Sequence, residues 1–177
     1  MGLKQKQDMS SEIANKTFLN KKWGYTAALA LLPYALLKSL WAWGLTIGIT
    51  TKQAVQDVAG FGNALKEGPA FLYTLHTIGI DITAVMAILA SLFALAFVTS
   101  WGEKLPKWLL IISGWSIGIL TVLISFLTIL QFFGVLPKGY NEGLAIWVYG
   151  ITYGGLFLWG VTVFMATLSF QQRIKNK

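Results

Sequence analysis

The sequence predicts an all-α fold: an integral membrane four-helix bundle with both N- and C-termini cytoplasmic. Three observations lead there. Four apolar runs, Trp23–Ile49, Phe71–Ser100, Trp108–Phe133 and Leu144–Phe170, each exceed the ~20 residues a helix needs to cross a bilayer. Only 12% of the 177 residues are charged, half the ~25% of a soluble domain. The basic residues are also distributed unevenly about the runs, as membrane topology requires.

The mean hydropathy of +0.63 excludes an ordinary soluble domain. Buried helices of a soluble bundle would keep a polar face wide enough for water, and these runs have none. The absence of cysteine excludes disulfides, thiolate metal sites and thiol redox chemistry. The net charge of +7 needs no nucleic acid once it is mapped onto the topology. With the N-terminus inside, ten of the fourteen basic residues face the cytoplasm, three face outward, and Lys38 lies within a span.

Residues 1–22 form a basic cytoplasmic head in which Ser10 or Ser11 starts a short helix. A basic head before an apolar run also suits a signal peptide. Trp23–Ile49 is too long for an h-region and no small-residue cleavage site follows, so it reads as a retained first span. Pro33 removes a backbone donor and kinks that span one turn before Lys38.

The outer loop 50–70 carries Ala54, Val55, Val58, Ala59 and Phe61 at helical spacing. It reads as a linker dipping into the headgroups or as a lid over the bundle mouth. Trp101–Lys107 is a tight turn, which makes the second and third helices antiparallel neighbours. The transmembrane domain spans 23–170, and 171–177 is a basic cytoplasmic tail. Gly44/Gly48, Gly114/Gly118 and Gly150/Gly154 are each four apart, a spacing that lets helices approach closely and offers faces for oligomerisation.

The stretch from Pro33 to Gly44 organises the site. A full charge deep in a bilayer costs roughly 2.5–3.5 kcal/mol even on lenient scales, so Lys38 requires a partner, and Asp81 is the opposite charge within an apolar run. They are expected to form an intramembrane ion pair. The alternative leaves Lys38 reaching outward and Asp81 neutral, bonded to Thr77 or Thr83. Tyr34, Lys38 and Trp41 share one helix face. His76, Thr77, Gln131, Tyr149 and Tyr153 fall at the same outer level, while the inner halves of the spans are almost wholly aliphatic or Phe. The pattern describes a polar, aromatic-lined recess open outward. Tyrosine and tryptophan also gather at membrane interfaces without any ligand, which is the simpler account of Trp147 and Tyr149.

Catalytic chemistry finds little material. The sole histidine, His76, has no second ligand at metal spacing, and no serine nucleophile motif or phosphate loop is present. No catalytic residue, metal or cofactor is assigned. Expected partners are membrane lipids and a lipid, peptide or partner membrane protein on the outer side. A proton- or ion-coupled transporter component and a small lipid-modifying enzyme are the competing classes.

Three stretches, Pro33-Tyr34…Lys38…Trp41…Gly44, Gly79-Ile80-Asp81-Ile82-Thr83-Ala84 and Trp101-Gly102-Glu103-Lys104-Leu105-Pro106-Lys107-Trp108, resemble a family of small bacterial four-helix membrane proteins of unassigned activity. The resemblance runs from the first helix to the start of the third. It implies the four-span fold, a bacterial inner membrane location, and that Lys38 and Asp81 belong to the shared pattern.

Overall fold

Pro33 divides the first apolar run. Lacking an amide hydrogen, it leaves one link of the helical ladder unmade, and the chain forms α1 (Lys22–Ala30) and α2 (Leu32–Ala42) on either side of Leu31. The structure, a computed structural model, describes residues 20–52, 54–56, 68–137 and 143–175. The second run is also divided, into α3 (Ala70–Thr77) and α4 (Ile82–Ala96), bent by 94° at the break. A short 3₁₀ turn, Gly102–Lys104, leads into α5 (Lys107–Phe132). The last helix, α6 (Ile146–Lys175), contains a π turn at Gly150–Gly154. Among the described residues there is no strand, only an isolated antiparallel bridge between Ile49 and Leu144.

Two helices, α5 and α6, are long and apolar enough to cross a membrane, and the bent pair α3–α4 is a third if it counts as one span. With nine and eleven residues, α1 and α2 are each shorter than the ~20 residues of a crossing.

Three expectations need correction. The first run does not stay helical to Ile49. It ends at Ala42 because Gly44 and Gly48 take positive φ, +82° and +79°, a conformation that costs other residues dearly. Gly44 and Gly48 therefore do not form a helix face. The second run is no single rod, for Gly79 at φ +80° turns the chain between its two pieces. The tight turn after α4 does not make α4 and α5 extended neighbours: the main partner of α5 is α6. The head before residue 20 and the amphipathic positions Val58, Ala59 and Phe61 lie outside the described residues.

In the packing, α6 lies between α5 and α1, while α1 and α2 both rest on α4. Glycine sets the closest approach. A Cβ on Gly118 would stand 3.3 Å from the Gly160 carbonyl oxygen, and one on Gly114 would overlap the Thr167 hydroxyl. Trp115 and Phe164 meet edge to face, 4.7 Å between centroids, across the same seam. Small residues facing one another in this way let two helix backbones approach closely.

The core divides along the bundle. The main cluster runs through Ala27, Ala94, Phe97, Val163 and Phe170, and a small second cluster of Leu37, Trp41 and Val148 fills the opposite end. At the first end, Phe97 packs edge to face on both Phe93 and Phe170. Arg173 donates there to the Phe97 carbonyl, just past the last turn of α4. At the second end, Ala145 N donates to Gly48 O at 2.8 Å and Thr50 N to Gly143 O, tying the chain after α2 to the start of α6.

Candidate functional site: a polar cluster at a broken helix

The polar residues singled out in the sequence divide into two groups, and the larger gathers where α3 breaks into α4. Asp81 sits in extended backbone (φ −80°, ψ 123°) as the N-cap of α4 and is 6% exposed. Its Oδ1 accepts from the amide of Thr83 at 2.7 Å, the amide of Ala84 at 3.2 Å and the Thr83 hydroxyl. The sequence Asp81-Ile82-Thr83 folds this way because the first amides of a helix have no partner within it, and a short carboxylate is well placed to supply one.

Gly79 makes the turn possible. Its positive φ closes the end of α3, with Gly79 N bonded to His76 O and Ile80 N to Leu75 O. The indole of Trp43 lies over it so closely that a Cβ on Gly79 would fall 2.5 Å from Trp43 Cδ1. The end of α2 thus caps the break between α3 and α4.

Two side chains approach from α2. Tyr34 is half-buried against the main core, comes up to the Thr83 side chain and lies within reach of the Asp81 charge. One turn on, Lys38 is also half-buried, within range of the Asp81 charge. Its ammonium lies 5.1 Å from the centre of the Trp41 ring, a distance at which a cation is attracted to an aromatic face. Trp41 is itself held, its Nε1 donating to Ile47 O at 3.0 Å.

The hydrogen bonds to the Asp81 carboxylate come from its own helix and Thr83, and the Lys38 ammonium stands over the Trp41 ring. Thr83, rather than Thr77, is the threonine that bonds Asp81.

The second group lies on α5 and α6. Tyr149 and Tyr153 stack at 6.0 Å, and Tyr149 lies 5.0 Å from Phe132. With Ile129, Phe133 and Gly154 they line a shallow groove of about 220 Å³ between α5 and α6. Gln131 is half-buried near the end of α5. His76 falls in the last turn of α3, and Thr77 is exposed with its hydroxyl donating to Thr74 O at 2.8 Å. Among the described residues these side chains form a buried polar cluster on α2 and α4, and an aromatic groove on α5 and α6.

Sequence reasoning missed Trp43 as the cover of the break, and it missed the break itself. The signal was present in Gly79 two residues before Asp81, followed by Thr83, a turn-then-cap pattern. Among the described residues no group of three or more His, Asp or Glu is arranged to hold a metal. No protein-family model matches the chain, and no curated protein and no solved structure is significantly similar to it.

Proposed function

We propose that the chain is a small multi-pass membrane protein of binding or accessory type, whose Tyr34–Lys38–Asp81–Thr83 cluster meets a polar group of a lipid, peptide or partner helix. In this reading α1 and α2 together form one crossing, α3–α4 a broken second, and α5 and α6 the third and fourth. Both termini are cytoplasmic, and the cluster lies toward the outer side of a cell membrane. The observation that carries the proposal is the buried carboxylate at the helix break. Irregular backbone at membrane depth persists only where protein covers it or where it lines a cavity, and an intramembrane ionisable residue is by default a functional candidate. The aromatic groove beside Gly150 and Gly154 supplies a second, apolar contact. Gly114 and Gly118 are occupied by α6, so any glycine-mediated oligomerisation falls to Gly150 and Gly154.

The test is photocrosslinking from position 34 in native membranes, with the photoreactive residue replacing Tyr34. The reading expects a defined lipid, peptide or protein adduct that disappears with Asp81→Ala and Lys38→Met. Adducts only with bulk phospholipid, unchanged by either substitution, would overturn it.

The 94° break favours one second reading. Discontinuous helices with a polar group at the half-helix end are a recurring element of transporters, so a proton- or ion-coupled component is the alternative. It requires that liposomes bearing the protein dissipate a pH gradient and that Asp81→Asn stop them; tight liposomes would rule it out.

A further inference from the structure

The fold collects basic and indole side chains at the end opposite the Trp41 cluster. Gly24 of α1 packs against Val98 beyond α4, Phe97 packs on Phe170, and Leu110 of α5 joins the same core. The start of α1, the turn between α4 and α5, and the last turn of α6 therefore share one rim. That rim carries the exposed lysines Lys21, Lys22, Lys104, Lys107 and Lys175. Arg173 is drawn inward to the Phe97 carbonyl, and Glu103 is the one carboxylate on this rim among the described residues. At the opposite end the described chain exposes a single basic residue, Lys52.

Two tryptophans mark the level of this rim. Trp101 is 45% exposed and Trp108 is 65% exposed, on either side of Lys104 and Lys107. An indole left in the open beside ammonium groups is unfavourable in water and favourable at headgroup depth, where its ring meets acyl chains and its N–H meets phosphate and glycerol oxygens. Lysines on either side of such rings keep their stems along apolar surface and their charges in the headgroup layer. We infer that this rim, centred on the turn from Trp101 to Trp108, is a docking surface for the phosphodiester headgroups of anionic phospholipids. It selects them over zwitterionic lipids through these exposed lysines.

The inference rests on the membrane reading above, and its test separates the two. The full-length protein is reconstituted into vesicles of phosphatidylcholine alone and of phosphatidylcholine with one part in three phosphatidylglycerol, and tested for alkaline extraction. Failure to remain with either vesicle overturns both readings. Bound lipid is then counted by native mass spectrometry after mild detergent release, with soluble glycerol phosphate as the free-anion control. The expected result is retention of phosphatidylglycerol over phosphatidylcholine that falls on the order of fivefold for each of Lys104→Gln and Lys107→Gln, the factor corresponding to ~1 kcal/mol per basic residue near an anionic surface. Glycerol phosphate should not compete. Equal retention of both lipids by a protein that stays in the vesicles would overturn the surface while leaving the membrane reading intact. Competition by glycerol phosphate would instead assign the lysines to free phosphate. Should the variants fold poorly, the wild-type preference must still weaken with rising salt; a preference indifferent to salt refutes the role of charge.

Discussion

Arg173, near the end of the last helix, donates a hydrogen bond to the carbonyl of Phe97, seventy-six residues earlier in the chain. Phe97 is the C-cap of α4, where the final carbonyls of a helix have no partner in the ladder. The same guanidinium lies 5.8 Å from the Phe170 ring and feels the charge of Glu103. One side chain thus joins α4, the 3₁₀ turn and α6.

Removing that join should destabilise the bundle. Arg173→Ala should cost about 1.5–3 kcal/mol, the range for a hydrogen bond from a charged donor. Arg173→Lys should recover only part of it, because an ammonium cannot present the planar fork. Thermal unfolding in detergent reads both, and an Arg173→Ala protein as stable as wild type would count against the contact.

Gly102 offers a sharper contrast. A Cβ there would stand 1.8 Å from the Ala96 carbonyl oxygen, and backbone cannot move aside as a side chain can. At Gly44 nothing lies within 4 Å, although φ is +82°. Gly44→Ala should cost only the ~1–2 kcal/mol of left-handed backbone. Gly102→Ala should cost more and lower the yield of folded protein. Comparison of the two melting temperatures decides it, and the reverse order would show that the turn can open.

The α5–α6 seam should tolerate no added volume at Gly118, where Gly160 O and Phe164 stand 3.3–3.4 Å from a new Cβ. Gly118→Leu should therefore separate the helices and broaden or split the elution peak. Gly154→Ala, with open space around it, should change stability by no more than ~0.5 kcal/mol.

Asp81 can be dissected by chemistry. Asp81→Ala removes the cap of α4 and should lose about 0.5–2 kcal/mol, whereas Asp81→Asn keeps an acceptor and should lose less. Combined with Lys38→Met, the pair of substitutions should show a coupling energy of ~0.5–3 kcal/mol, as groups within one network do. Strict additivity in the thermal unfolding of all four proteins would mean that the charges ignore each other.

Much of this was open to reading in the chain. Apolar length alone marks α5 and α6, because nothing within Lys107–Phe132 interrupts the helix and the glycines of that run sit on its packed face. Pro33 announced the division of the first run, and Lys38 and Asp81 announced a polar cluster. The breaks at Gly44 and Gly79 were harder. Gly44 and Gly48, four apart, read equally as a packing face or as left-handed backbone, and Gly79 stands within an apolar run; in the structure Trp43 covers Gly79, while Val148 and Trp147 crowd Gly48. That Tyr149 and Tyr153 line a groove with Phe132 was also hidden. Shared depth along a bundle says nothing about which neighbour a side chain turns toward, and that depends on which helices pack together.

The π turn at Gly150–Gly154 acts on that last point as a phase shifter. It admits one residue beyond the ordinary turn count, so the first third of α6 is rotated by ~100° against the remaining two thirds. Beyond the turn, Trp159, Val163 and Ala166 belong to the main core, whereas Tyr149 and Tyr153 look toward Phe132. Deleting a single residue from the Gly150–Gly154 segment would restore uniform winding. It would also swing the stacked tyrosines out of their groove while leaving the seam at Gly118 and Gly160 in step.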